Sequence, residues 1–129
     1  MNENDALRLL RNLLESRGAE WIGESGWIRF RSRREGMIWE TACRAGEGAM
    51  VIYGRFPFRC RDSNRARDEC NEINRSLERG ALFLTEEGEP VYRCRAEMDD
   101  VFGAEERLDT ALRHSAWVMA RYWGRLSGI

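Results

Sequence analysis

The feature that most constrains the fold is a change in the spacing of apolar residues. Between residues 5 and 17 they recur every three to four positions, and Leu7, Leu10 and Leu14 form one stripe. From Ile28 onward apolar and charged residues alternate instead. The first spacing is that of an amphipathic helix, and the second is that of a strand with one buried face. The chain therefore predicts a helix over residues 5–17 followed by a strand over residues 27–33.

Glycine-containing links join that strand to two further alternating segments. Glu35-Gly36 precedes a second strand, predicted over residues 37–44, and Gly46-Glu47-Gly48 precedes a third, predicted over residues 49–56. Links this short allow only antiparallel neighbours. An antiparallel meander is therefore expected in the first half of the chain.

The second half repeats both patterns. Asp62 or Ser63 is placed to cap a second helix, predicted to reach about Arg79, with apolar residues spaced four, three and four apart. Two more strands and a final helix follow, over residues 81–85, 91–98 and 104–126. The sequence thus predicts one α+β domain over residues 1–129, in the order α-β-β-β-α-β-β-α. We expect a five-stranded, mostly antiparallel sheet with helices packed on it.

Composition narrows the class of protein. The formal net charge is −1, so no excess of positive charge over the whole domain indicates a polyanion as partner. All basic residues are arginine, which excludes mechanisms that need a lysine. The longest apolar runs, such as residues 49–53, are too short to cross a bilayer, and the polar, acidic start lacks the pattern of a secretory signal. A cytoplasmic protein that does not enter the membrane is expected.

The four cysteines are Cys43, Cys60, Cys70 and Cys94, and none lies within four residues of another. This spacing does not fit a zinc or redox pair, and it favours small buried side chains. An enzyme using Cys60 or Cys94 with His114 is the competing interpretation. Because no nucleophile motif accompanies any cysteine, the sequence predicts no catalytic residue, cofactor or metal ligand.

Arginines form a stripe on the first predicted strand. Arg29, Arg31 and Arg33 share one face, where they could hold an acidic partner segment or a phosphate backbone. The simpler interpretation is a solvated sheet face with cross-strand pairs, for example to Glu40. The near-zero net charge disfavours nucleic acid as the partner.

Tryptophan is unusually frequent, with five in 129 residues. Trp27 alternates onto the arginine face, Trp39 lies among the residues of the second strand, and Trp117 lies off the main stripe of the last helix. Exposed tryptophans are typical of interfaces, whereas covered ones belong to a core. Both interpretations stay open at this stage.

Asn71 and Asn74 lie beside the apolar stripe of the second helix. Asparagine is unfavourable inside a helix unless its amide makes specific hydrogen bonds. We expect these side chains to fix the helix against a neighbouring strand or loop, rather than to contact a partner.

Residues 51–58, VIYGRFPF, precede a helix carrying Asn71-Glu72-Ile73-Asn74, and an apolar strand with an acidic-glycine hairpin follows. This arrangement resembles the YbjN family and the related type III secretion chaperones. The resemblance implies a chaperone-like or adaptor-like module that binds a protein partner or client, is often dimeric and has no established catalytic residues. The expected partner-binding residues are Trp27, Arg29, Arg31, Arg33, Trp39 and Trp117. The alternative is a small enzyme, or a nucleic-acid-binding protein that uses the arginine stripe.

Overall fold

A computed structural model describes all 129 residues. Three helices lie against one face of a six-stranded sheet. The elements in chain order are α1 (Glu3–Ser16), β1 (Trp21–Glu24), β2 (Trp27–Arg34), β3 (Met37–Gly46), β4 (Ala49–Arg55), α2 (Ser63–Asn74), β5 (Ala81–Leu84), β6 (Pro90–Glu97) and α3 (Ala104–Ser127).

The strands are ordered β1-β2-β3-β4-β6-β5, and every neighbouring pair is antiparallel. The first four form the predicted meander, extended by one strand. The path from β4 through α2 then passes over the position of β6 and places β5 at the far edge. The α+β class and the antiparallel sheet are confirmed.

The prediction of five strands is wrong, because β1 adds a sixth. It pairs Trp21 with Phe30 and Glu24 with Trp27 across a turn at Ser25 and Gly26, both of which have positive φ. With four residues, one of them a glycine, the strand shows too little alternation to be recognised from its apolar pattern.

The helix boundaries show one clear difference. Helix α2 ends at Asn74, before the predicted end near Arg79, and the Asn74 side chain bonds there to the backbone of Leu82 in β5. Helix α1 is capped by Asn2, whose side chain accepts from the Asp5 amide at 2.8 Å.

The core lies between the sheet and the helices. Ile28, Cys43, Ile52 and Cys94 are aligned across four neighbouring strands and are all buried. One stripe of α3 is buried along its whole length and comprises Leu108, Leu112, Ser115, Met119, Tyr122 and Leu126. All four cysteines are free and buried, as their spacing predicted.

Gly54 lies in close contact with the Met119 side chain of α3. This residue faces α3 from β4, and a Cβ added to it would lie 2.8 Å from the sulfur of Met119. A side chain at position 54 would therefore force the Met119 side chain to shift.

Candidate functional site

One face of the sheet has no covering layer. Strand pairing sends Ile28, Thr41, Ile52 and Tyr92 toward the helices, and alternate residues point the other way. We call this second surface the open face. Its main residues are Trp27, Arg29, Arg31, Arg33, Ile38, Glu40, Ala42, Arg44, Val51, Tyr53, Arg55, Val91, Arg93, Arg95 and Glu97.

The open face is more positive than the chain as a whole, whose net charge is −1. Three of its seven arginines pair with a carboxylate: Arg29 with Glu40 at 3.5 Å, Arg55 with Glu89 at 3.0 Å and Arg95 with Glu97 at 3.1 Å. The other four make no ion pair, and these are Arg31, Arg33, Arg44 and Arg93. Guanidinium groups without an ion-pair partner can donate hydrogen bonds to a carboxylate of another molecule.

Two of these arginines lie against aromatic rings. The rings of Trp27 and Tyr53 are 5.6 Å apart, with the guanidinium of Arg44 5.4 Å from the Trp27 ring and that of Arg93 5.8 Å from the Tyr53 ring. We call these four residues the aromatic–arginine cluster. Cation–π contacts at exposed sites contribute about 0.5–1 kcal/mol each, so the cluster is partly held in place before any partner arrives.

The cluster also changes the chemistry of Tyr53. Burial alone would raise the pKa of its phenol, but hydrogen bonds from Arg93 and Arg44, together with their positive charges, outweigh burial and lower it. The Arg93 Nε lies 3.3 Å from the phenol oxygen. The lowered pKa shows that this part of the open face stabilises negative charge.

A shallow cavity of about 250 Å³ lies next to the cluster. Arg44, Arg93 and Arg95 surround it together with Val51, and the β3–β4 turn closes one side. Glu47 also lines the cavity and Arg95 pairs with Glu97, but Arg44 and Arg93 have no carboxylate partner, so the site keeps positive charge that suits a carboxylate attached to a short apolar stem.

The structure brings four predicted site residues together. Trp27, Arg29, Arg31 and Arg33 all lie on the open face, as their alternation predicted. Tyr53, Arg44 and Arg93 were missed because they belong to other strands. The alternation of Arg93 and Arg95 with Tyr92 and Cys94 was the sequence signal that could have found part of this set.

The other two predicted residues lie elsewhere. Trp39 pairs with Ser32 on the helix-facing side of the sheet, is 2% exposed and packs 6.3 Å from the ring of Trp123. Its assignment to a partner surface is therefore corrected, because it is a core residue. Trp117 is 43% exposed but belongs to α3, where it stacks on His114.

The cysteines and the histidine are poorly suited to nucleophilic chemistry. Burial is the main cause that raises the pKa of Cys70 and of Cys94 to about 11, and the Cys94 thiol lies 4.0 Å from the Ala111 carbonyl oxygen. Burial and the nearby Arg79 lower the pKa of His114. At neutral pH these thiols are protonated and the imidazole is neutral, whereas a cysteine nucleophile needs the thiolate.

No family model, curated protein or solved structure matches this chain. None of its helices has both the length and the apolar character needed to span a bilayer. No group of three or more His, Cys, Asp or Glu side chains is placed to hold a metal ion. The open face is therefore the feature of the chain that bears on its function.

Proposed function

We propose that this chain is a non-enzymatic, cytoplasmic protein-binding module of the chaperone or adaptor type, related to the YbjN family. Its open face holds an acidic segment of a protein partner. The observation that carries the proposal is the set of four arginines without carboxylate partners, beside Trp27 and Tyr53, on a sheet face that no helix covers. The resemblance of residues 51–58 and Asn71-Glu72-Ile73-Asn74 to the YbjN family supports the same class.

The chemistry of the face defines the segment it would take. Guanidinium groups bind carboxylates with charge-assisted hydrogen bonds, so Asp and Glu side chains would pair with Arg31, Arg33, Arg44 and Arg93. The rings of Trp27 and Tyr53 and the exposed Ile38 and Phe83 provide apolar area between these charges. An acidic segment with interspersed apolar residues therefore complements the face.

A short fluorescent peptide of alternating glutamate and leucine tests this proposal, with a glutamine–leucine peptide as the neutral control. We expect saturable binding of the acidic peptide only. The Arg44→Ala/Arg93→Ala variant should weaken it by about tenfold or more, because two charge-assisted contacts are lost. Arg67→Ala is the matched control, since Arg67 is an exposed arginine of α2 that makes no ion pair. Equal binding by the double variant and the wild type would overturn the proposal.

A single-stranded nucleic acid is the second candidate. Aromatic rings and arginines on a sheet face can stack bases and contact phosphates. A labelled oligouridine, titrated at low and at moderate salt, distinguishes the two. Tight, strongly salt-dependent binding of the oligonucleotide without binding of the acidic peptide would favour the nucleic acid.

The resemblance also supports a homodimer, which we include in the proposal. Light scattering should then give twice the 15.1 kDa mass of the chain at high concentration. A monomer mass over the whole concentration range would remove the dimer and leave the open-face proposal intact.

A further inference from the structure

A second cavity lies on the other side of the sheet from the aromatic–arginine cluster. It has a volume of about 220 Å³ and lies where α1 and α3 meet the ends of β2 and β3. Leu14, Phe30 and Leu112 contribute apolar wall, and Trp39 and Ser115 also line the cavity. For comparison, an apolar cavity of about 150 Å³ in another protein holds benzene.

Two buried donors at this cavity have no partner within the protein. The indole N–H of Trp39 and the hydroxyl of Ser115 make no hydrogen bond, although these residues are only 2% and 3% exposed. Buried polar groups in native proteins are nearly always hydrogen-bonded, and each exception calls for an explanation. Because an indole N–H can only donate, its missing partner must be an acceptor.

A third donor comes from the strands. The hydroxyls of Ser32 and Thr41 lie 2.6 Å apart and line the same cavity. Two hydroxyls that share one hydrogen bond use one of their two protons, so the other proton remains free to donate. The hydroxyls can also accept, but together with the indole N–H they can present several donors to one anion.

The charged side chains at the mouth of this cavity also favour an anion. Arg17 and Arg113 both line the cavity, and both are paired with the single carboxylate of Asp109, Arg113 through its Nε at 3.0 Å. Two guanidinium groups and one carboxylate leave an excess of one positive charge. An anion entering the cavity would be stabilised by this excess.

We propose that this cavity binds a carboxylate attached to a small apolar group. The carboxylate would accept from Trp39 and Ser115, and the apolar group would pack against Leu14 and Leu112. The cavity lies on the helix side of the sheet and shares only Arg31 and Arg33 with the open face, so the inference goes beyond the proposed function.

A carboxylate of this kind has two sources, a free organic acid or the C-terminus of a peptide. A peptide has a direct approach, because β1 pairs only with residues 27–30 of β2. The outer edge of β2 at residues 31–34 is therefore free to pair with an added strand.

Nuclear magnetic resonance of the ¹⁵N-labelled protein tests the site directly. The indole N–H signal of Trp39 is assigned with Trp39→Phe and followed during titration with benzoate and with neutral benzamide. We expect a saturable shift with benzoate, and binding of benzamide weaker by about tenfold or more, because the charge-assisted hydrogen bonds are lost. Ser115→Ala should weaken the binding of benzoate about tenfold.

Three variants keep the result interpretable. Ser115→Ala should retain the fold, since it removes a hydroxyl that has no partner and favours the helix, and its spectrum checks this. Ser127→Ala, at the exposed end of α3, should leave the affinity for benzoate unchanged. The Arg44→Ala/Arg93→Ala variant should also keep its affinity for benzoate. The two proposed sites can therefore be tested independently of each other.

A short peptide ending in phenylalanine, compared with its C-terminal amide, identifies the source. Tighter binding of the free-acid peptide than of benzoate, lost in the amide, assigns the site to a chain terminus. Binding of benzoate without the peptide assigns it to a free organic acid. The proposal is overturned if neither probe shifts the Trp39 signal saturably, if benzamide binds as well as benzoate, or if Ser115→Ala has no effect.

Discussion

The side chain of Asn74 takes the place of a neighbouring strand for Leu82. Its Nδ2 donates to the Leu82 carbonyl oxygen at 2.9 Å, and its Oδ1 accepts from the Leu82 amide at 2.7 Å. One carboxamide thus satisfies both backbone groups at the outer edge of β5. The same pair of bonds fixes the end of α2 against the sheet, as the sequence predicted for Asn74, whereas Asn71 is exposed.

Replacing Asn74 with alanine should destabilise the folded protein. Both backbone groups of the buried Leu82 would lose their partner, so Asn74→Ala should lower the free energy of unfolding by about 2–3 kcal/mol in urea titrations. Asn71→Ala, in the same helix but exposed, should change it by less than about 0.5 kcal/mol. Similar losses in both variants would show that helix propensity, and not the contact with β5, determines the effect.

Gly80 occupies a position that excludes a side chain. Its φ is +72°, and a methyl group there would overlap the Arg93 carbonyl oxygen and the Tyr92 hydroxyl, which donates to Arg79 at 2.6 Å. We expect Gly80→Ala to destabilise by about 1–3 kcal/mol more than Gly36→Ala, by thermal or urea unfolding. Gly36 also has positive φ, +81°, but open space around it. Equal losses of stability in Gly80→Ala and Gly36→Ala would mean that backbone strain alone is responsible.

His114 should make stability depend on pH. Burial and the positive charge of Arg79 lower its pKa. A hydrogen bond with the Arg79 backbone and the negative charge of Glu78 raise it, but by less. The unfolded chain therefore takes up this proton at a higher pH than the folded chain, and stability should fall as the pH decreases below about 6.5. Urea midpoints between about pH 7 and about pH 5 should fall further for the wild type than for His114→Gln. If the urea midpoints of the wild type and His114→Gln fell equally with pH, His114 would not be the cause of the pH dependence.

The cysteines should react slowly in the folded protein. All four are buried, and burial is the main cause that raises their pKa values. Labelling with a thiol reagent near neutral pH should be far slower than in the urea-unfolded chain. Rapid labelling of Cys60 or Cys94 in the native protein would revive the competing enzyme hypothesis.

Tyr53 should report the state of the aromatic–arginine cluster. Removing Arg93 deletes a hydrogen bond and a charge that lower the phenol pKa, so Arg93→Ala should raise it in an ultraviolet titration. Arg31→Ala removes an arginine of the same face that has no contact with Tyr53 and should leave the titration unchanged. A pKa unaffected by Arg93→Ala would mean that the cluster does not form in solution.

Much of the element order follows from the sequence, because alternation and glycine links are local signals. The turn at Ser25-Gly26 is the local signal for β1, but four residues around Gly23 gave no clear alternation. The end of α2 could not be predicted, since Leu77 continues the helical spacing and the contact of Asn74 with Leu82 is a tertiary one. These differences arise where a tertiary contact overrides local preference.

The site was predictable only in part for a related reason. Arg29, Arg31 and Arg33 lie on one strand, so their common face follows from alternation. The contact of Trp27 with Tyr53, and of Arg93 with Tyr53, depends on the pairing of β2, β3, β4 and β6. Pairing between distant segments, including the placement of β6 inside the sheet, is not encoded in any local pattern.

The position of β6 also constrains how the chain can reach its native state. Strands β4 and β5 are both synthesised before β6, yet β6 separates them in the sheet. On the ribosome, the meander from β1 to β4 can pair as it emerges, while the outer edge of β4 stays unpaired until Glu97 has left the exit tunnel. The nascent chain therefore presents this unpaired edge for a long stretch of its synthesis, and aggregation during translation should be greatest in that interval.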